Sequence, residues 1–384
     1  MNAHASRSFE ARRKILHVLP FVSSVGEAGG PTSVCLAQAK ELASRGHDVR
    51  VHAVGDVNTL TVTDQDGYVL TLYPKRVVVK SFAFAGILGK GMWSSVRRAM
   101  RWADVVHIHM ARDLITLPAA AAARRMRVPY VAQTHGMIDR SDKRLAHLLD
   151  ALVTRRVLSG AATVLSLTYD EDAALRSVYP RVSLLRVRNG IELGELEVVP
   201  ERADEILFLA RLQERKRPTV FVEVAHKLSR RLPGFVFTLV GPDGGEAATV
   251  QARIEDLGLQ EVVKWTGPIA PDRVVERLMR ARLYVLPSVD EVFPMTILEA
   301  FRAGTPVVAT ESLGIAADCA RFGSAELTGI TADEIAAGVL RALEEGRYAD
   351  LQGGAARMLR EHLDIGAVVD SIEQVYSDCL SSRA

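Results

Sequence analysis

The chain has 384 residues, 48% hydrophobic and 24% charged, which is enough for two domains with full cores and too apolar for long disorder. Its three cysteines, Cys35, Cys319 and Cys379, match neither a disulfide framework nor metal-ligand spacing, so a reducing compartment is expected. The net charge of +2 hides a split: residues 1–190 carry 27 basic and 15 acidic side chains, and residues 191–384 carry 21 and 31. A basic half should meet something acidic, either anionic lipid headgroups or a phosphorylated acceptor, whereas nucleic acid is disfavoured because no recognition helix or aromatic platform accompanies the cations.

The opening MNAHASRSFEARRKI lacks the apolar stretch of a signal peptide, and no later segment reaches the roughly twenty apolar residues of a membrane span. A cytoplasmic protein is expected, with peripheral contact at the inner membrane face open to its basic half. Short β-branched runs then alternate with helical stretches: KILHVLP, DVRVHAV, DVVHIHM, PYVAQTH and ATVLSLT, followed by EILFLA, VFTLVG, VVKWTG, RLYVLPS and TPVVAT. That is the rhythm of parallel sheets buried on both faces, so the expected fold is α/β with two Rossmann-like, doubly wound domains facing a cleft. The stretch from Asn189 to Glu205 reads as the linker. The expected division is an N-terminal domain over 1–190, a second over 191–365, and a C-terminal helix over 366–384 that packs back on the first. A nicotinamide enzyme is disfavoured, because neither Gly26–Pro31 nor Val240–Gly245 has G-x-G-x-x-G spacing.

After KILHVLP, Gly29 and Gly30 let backbone approach a ligand, and Pro31, Thr32 and Ser33 suit a first helical turn that attracts an anion. The stretch alone leaves a phosphate site and a plain strand-to-helix turn equally open. The segment 81–106 carries Trp93 and Trp102 with Lys90, Arg97, Arg98 and Arg101: either a helix resting on a membrane or acceptor entrance, or the ordinary helix before DVVHIHM. His107 and His109 alternate on that strand and are expected to be partly buried, with metal binding the weaker reading because no carboxylate completes a site. In the second half Arg211 and Lys216 follow the strand EILFLA and are placed for a diphosphate; a solvated basic loop is the plain alternative, since Arg215 and Arg217 share it. Glu291 sits in the loop beyond RLYVLPS, and Met295 begins a helix ending near Gly304, whose first N–H groups at Met295 and Thr296 can face a phosphate. Glu299, one turn on, shares a face with Met295, so the two acids can sort sugar and ribose hydroxyls. An acidic helix start with a surface salt bridge is the bland alternative for either acid alone.

Taken together, Gly29-Gly30, Arg211-x4-Lys216 and Glu291-x7-Glu299 within E-x-F-P-x-x-x-L-E-A resemble the retaining glycosyltransferases of the GT-B fold, in particular the family-four group that uses nucleotide sugars. The resemblance covers nearly the whole chain. It implies that Glu291 contacts hydroxyls of the donor sugar, Glu299 the ribose, Arg211 and Lys216 the diphosphate, and the N–H groups of Phe293, Met295 and Thr296 the sugar and phosphate. It also implies that His135, in the T-x-H-G stretch, lies beside the sugar near the reacting carbon, and that backbone near Gly241 and Gly267-Pro268-Ile269 reads the base. Pro294 has no N–H, so a contact made by that amide in relatives is lost. ESLGIAADCARFG replaces the Gly-Gly-acid loop that many relatives carry after TPVVAT. The implied activity is retaining, metal-independent transfer of a hexose from a UDP- or GDP-sugar to a hydroxyl of a glycan, glycolipid or secondary metabolite, with no cofactor. A sugar-nucleotide epimerase on the same twin-domain fold and a non-catalytic sugar-nucleotide binding protein are the alternatives.

Overall fold

The structure, a computed structural model, describes residues 12–23, 30–79, 85–138, 144–194 and 201–381, with backbone only at 144–146. The first lobe runs β1 (Lys14–Val22), α1 (Gly30–Ser44), β2 (Asp48–Gly55), β3 (Thr61–Gln65), β4 (Tyr68–Val77), β5 (Ile87–Gly89), α2 (Met92–Trp102) and β6 (Val105–His109). It continues through α3 (Thr116–Met126), β7 (Tyr130–Gln133), α4 (Arg144–Leu149), α5 (Arg155–Gly160), β8 (Thr163–Ser166), α6 (Tyr169–Val178) and β9 (Leu184–Arg186). Its sheet has the order β3-β4-β2-β1-β6-β7-β8-β9, and β5 pairs with β4. Only β3 and β5 run antiparallel to their neighbour among these strands. The β3–β4 hairpin closes through Asp66-Gly67 with φ of 49° and 82°, the left-handed pair that a two-residue hairpin turn demands.

In the second lobe come β10 (Ala203–Leu209), α7 (Pro218–Leu228), β11 (Val236–Val240), α8 (Ala247–Asp256), β12 (Val263–Trp265), α9 (Val274–Arg280), β13 (Ala281–Leu286) and α10 (Met295–Arg302). Then follow β14 (Val307–Thr310), α11 (Ala316–Phe322), β15 (Glu326–Thr328), α12 (Ala332–Ala342), α13 (Glu345–Met358) and α14 (Ile365–Ser381). All six strands are parallel, in the order β12-β11-β10-β13-β14-β15. This is the doubly wound order in which the chain starts at the centre and reverses direction between β10 and β13.

Apolar runs buried on both faces explain why the strands lack alternation: Ile15, Leu16, Val18 and Leu19 of β1 are all fully covered. The chain crosses between lobes twice, side by side. Ile191 N–H donates to Leu363 O at 2.8 Å and Ile365 N–H to Ile191 O at 3.1 Å. Beyond that crossing, α14 lays Val368, Val369, Ile372 and Tyr376 on the first sheet against Ile15, Val49 and Val51. His47 Nε2 meets Glu373 Oε1 at 2.7 Å, and the Arg13 guanidinium donates to Ser377 Oγ at 2.7 Å, which fixes the register of that return. Helix α2 buries Met92, Val96, Ala99 and Met100 and leaves Arg97, Arg98 and Arg101 in solvent, with the Arg50 guanidinium 3.8 Å over the Trp102 ring. That is how a layer helix before β6 packs. No helix among the described residues is long and apolar enough to cross a membrane.

Candidate active site

Loops that leave neighbouring strands at a topological reversal diverge and open a crevice. In the second lobe that point lies between β10 and β13, and the loops after these strands carry most of the residues the sequence singles out. After β10 the chain makes a short turn over Glu214–Lys216. Val289 N–H, beyond β13, donates to Arg215 O at 3.1 Å and ties the two loops together. Lys216 Nζ thereby sits directly on Glu291 Oε1, while Glu291 Oε2 is buried without a partner. Burial pulls the Lys216 ammonium below the ordinary lysine range; Glu291 works the other way, and Arg215 and Arg211 add to the lowering. The stem of Arg211 lies over Gly244, where a Cβ would stand 2.8 Å from Arg211 Cγ.

Asp290 holds φ at 52°, an unusual left-handed value for a non-glycine residue, and lifts Glu291 out of the strand direction. Phe293 and Met295 are buried, and Pro294 caps α10: its carbonyl accepts from Ile297 N–H at 3.1 Å, while the N–H groups of Met295 and Thr296, the first two of the helix, have no intrahelical acceptor. Beneath them the Tyr284 hydroxyl lies 2.8 Å from Thr296 Oγ1 and 3.3 Å from Leu209 O. Burial raises the Tyr284 phenol, Thr296 opposes, and Glu291 and Glu299 both push it further up, so the two acids flank one hydroxyl. Glu299 itself is pushed up to about 7 by burial, with Arg302 pulling it back.

Two predicted glycines meet at the floor of the crevice: Gly241 N–H donates to Gly267 O at 2.9 Å. Gly241, at φ 147°, leaves no room for a side chain, because a Cβ would lie 2.0 Å from Ala210 O. Ile269 is half-buried against the second-lobe core.

From the first lobe, Gly30 opens α1 beside the start of α10, with a Cβ built on it 3.2 Å from Met295 Cγ; Gly29 lies outside the described residues. The turn after β7 presses on the Glu291 loop, for a Cβ at Gly136 would fall 2.4 Å from Val292 Cγ2. His135 in that turn has φ 51°, and its Nε2 lies 2.8 Å from His109 Nδ1. Desolvation, followed by His107, lowers its pKa to about 3, so the ring is neutral. His107 and His109 are fully buried, not partly buried as their alternation suggests, because β6 lies in the middle of a sheet covered on both faces.

Sequence reasoning missed three contributors. Glu171 accepts from Thr134 Oγ1 and Gly136 N–H at 2.5 Å each and from Leu167 N–H at 2.7 Å, and so locks the His135 turn. Its signal was present as Thr168-x-x-Glu171, a helix-start pattern, and Thr168 Oγ1 does accept from Glu171 N–H at 3.2 Å. Gly314, in the loop after β14 that departs from the pattern of relatives, braces the Glu291 loop: its N–H donates to Glu291 O at 2.9 Å, and a Cβ would meet Val292 O at 2.3 Å. His17, on β1, joins the imidazoles of β6 across the sheet, a partnership that no spacing in the sequence announces.

Two α/β lobes with this crevice between them define the GT-B fold. Residues 29–190 match the glycosyl transferase 4-like domain and residues 196–358 the group 1 glycosyl transferases. The chain is similar to the D-inositol 3-phosphate glycosyltransferase of Acidothermus cellulolyticus, at 28% identity over 96% of this chain and 90% of that one. Its fold is shared by Anabaena HepE in complex with UDP and glucose, at TM-score 0.73 and 18% identity over 95% and 100% of the two chains. Sucrose-phosphate synthase of Thermosynechococcus elongatus gives TM-score 0.73 and 16% identity over 96% and 100%. The chain belongs to the family-four-like glycosyltransferases of the GT-B fold.

Proposed function

We propose that this enzyme transfers a hexose from a nucleoside diphosphate sugar, UDP-linked in the first instance, to an acceptor hydroxyl with retention at the anomeric carbon and without a metal. The observation that carries the reading is the Lys216–Glu291 pair at the reversal between β10 and β13, with the free amides of α10 beside it. Each member of the pair holds the other. An incoming diphosphate offers Lys216 a second anion, joined by Arg211 and by the N–H groups of Met295 and Thr296, and releases Glu291 to accept hydrogen bonds from sugar hydroxyls. Glu299 accepts from the ribose, backbone at Phe293, Gly241, Gly267 and Ile269 shapes the donor site, and Gly30 approaches the phosphate from the other lobe.

The C1–O bond to the leaving phosphate breaks, the C1–O bond to the acceptor forms on the same face, and the acceptor proton passes to a phosphate oxygen. Charge therefore develops on the diphosphate, which is where the cations and helix amides are aimed. His135, neutral, borders the sugar from the opposite lobe. The names of the curated relatives make inositol phosphate the first acceptor to try.

Donor binding should raise the unfolding temperature, by several degrees at donor concentrations about a hundred times Kd. Ultraviolet and refractive detection are unnecessary for the decisive step: proton NMR of the product reads its anomeric configuration directly. Neither UDP- nor GDP-sugars stabilising the protein would sink the donor assignment. An inverted product would sink retention, and an isomerised nucleotide sugar formed without acceptor would select the epimerase.

A further inference from the structure

The described first lobe holds a group of buried imidazoles that the donor site does not account for. His17 on β1, His109 at the end of β6 and His135 beyond β7 form a row: His17 Nδ1 lies 3.0 Å from His109 Nε2, and His109 Nδ1 lies 2.8 Å from His135 Nε2. Ring centroids 5.3 and 5.1 Å apart, with planes inclined by 25° and 12°, mean that the rings meet edge to edge in nearly one plane. The row runs from inside the sheet to its carboxyl edge, where the His135 turn touches the Glu291 loop.

Nitrogen atoms of His17, His107 and His109 lie within 4.8 Å of one another, as a metal site requires. Inside the row, however, the rings face each other nitrogen to nitrogen in line, so an ion on both lone pairs would sit about 1.5 Å from each nitrogen, well short of the roughly 2.0 Å that a metal needs. His107 lies beside the row, its Nδ1 2.7 Å from the Tyr376 hydroxyl and its Nε2 buried without a partner.

A neutral imidazole has one donor and one acceptor, so a row of three allows only two arrangements. In one, every Nε2 carries the proton: His135 donates inward, and the row ends on a His17 Nε2–H that is buried with no acceptor. In the other, every Nδ1 carries it: His17 donates to His109, His109 to His135, and the free N–H is His135 Nδ1, likewise buried without a partner but in the half-buried turn that touches the Glu291 loop. A permanently orphaned N–H inside a core is rarer and costlier than an unfilled acceptor, whereas an N–H at the cleft can be satisfied by substrate. The geometry points to the second arrangement: the row His17–His109–His135 fixes the tautomer of His135, presenting Nδ1–H as a hydrogen-bond donor to the transferred sugar, with His109 and His17 as positioning residues. This rests on the proposed donor site only in naming the sugar as the group that accepts.

Nitrogen-15 NMR of histidine-labelled protein tests it without any assay of transfer. His17, His109 and His135 should each resonate as the Nδ1–H form, and His109→Leu should release His135 to the Nε2–H form. In turnover, His109→Leu should lower kcat about tenfold, as loss of one aligned hydrogen bond does, with the donor KM within about twofold. His109→Asn keeps an N–H close to the position of Nδ1 and should restore kcat to within about threefold. A merely structural role would move stability in both variants and leave the tautomer of His135 alone. Finding His135 as Nε2–H in the wild-type protein, equal kcat loss in both variants at matched stability, or a stoichiometric metal ion on these rings would overturn the inference. Should no nucleotide sugar be turned over, the proposed function falls, while the NMR arms still decide the row.

Discussion

The two walls of the cleft handle charge in opposite ways. On the second lobe a lysine and a glutamate are buried in contact, a second glutamate is held near neutrality, and helix amides point outward unpaired. On the first lobe the corresponding strand ends carry imidazoles with pKa values pushed below the usual range, and Glu171 close by is fully occupied by two backbone amides and a hydroxyl. Yet by formal charge the first half is the more basic. Its positive charge lies on outer surfaces such as Arg97, Arg98 and Arg101 of α2 and Arg124 and Arg125 of α3, so net charge is no guide to the field inside a site. The contrast fits the proposed chemistry, in which negative charge builds on the leaving diphosphate beside the cations, and the positive charge that builds on the sugar ring meets uncharged imidazoles on the other wall.

Acid should break the contrast most violently. His17, His52, His107, His109 and His135 all have folded-state values below 6.5, with burial as the leading cause, so below that pH the unfolded chain binds more protons than the native one. Their stability contribution is present above about 6.5 and is lost as pH falls toward the depressed values, at up to about 1.4 kcal/mol per pH unit for each ring. Glu299 has the opposite sign: raised from 4.5 to about 7, it favours the fold at low pH and withdraws that support as pH rises through 7. Asp113, raised to about 6, and Glu171, also raised, both by burial, share that sign; because five rings outweigh three carboxyls, the urea midpoint should still drop between pH 6 and 5. A flat midpoint over that range would mean that the imidazoles are charged in the folded state.

Removing the cations comes next. Lys216→Ala or Arg211→Ala should cut kcat by about 10² to 10³, as loss of a donor aimed at developing charge does. Lys216→Ala also strands Glu291, whose side chain is only 12% exposed, and should destabilise the fold by about 1–3 kcal/mol. Turnover at saturating donor, with urea titration as the control, separates the two effects. Wild-type turnover in both variants would dissolve the charged wall altogether.

Glu299 sharpens the same comparison by pH. An ionised carboxylate accepts from both ribose hydroxyls, so donor affinity should improve as pH rises through about 7, by roughly tenfold from pH 6 to 8. Glu299→Gln should remove that slope, and His135, neutral down to about 3, should add no step of its own near 6.5. Isothermal titration of UDP at three pH values measures it; a slope that survives in Glu299→Gln assigns the titration to another group.

The sequence made the architecture legible because runs buried on both faces announce parallel sheets, and because Arg211, Lys216, Glu291 and Glu299 stand at strand ends and helix starts. It hid what depends on pairing across strands. Lys216 and Glu291 were each seen, but not that they hold one another, since contact over 75 positions leaves no local mark. The row from His17 to His135 was invisible for the same reason. The β3–β4 hairpin was a different kind of omission: its Asp66-Gly67 turn between alternating runs is a local signal that was there to be used.

The smallest effect concerns how the walls are held together. Arg188, just past β9, grips Asp318 of α11 through two hydrogen bonds of 2.9 and 3.0 Å, one lobe to the other. The side chains are 32% and 25% exposed, so solvent screens the pair and about 1 kcal/mol is the most it should contribute. That energy counts only while the lobes are in contact, so losing it favours any separation of the two. Arg188→Ala should therefore weaken donor affinity by no more than about fivefold, with kcat and the pH dependence unchanged, because nothing at either wall has altered. A fall in kcat instead would mean that the lobes' relative placement, rather than the charged wall alone, limits the chemical step.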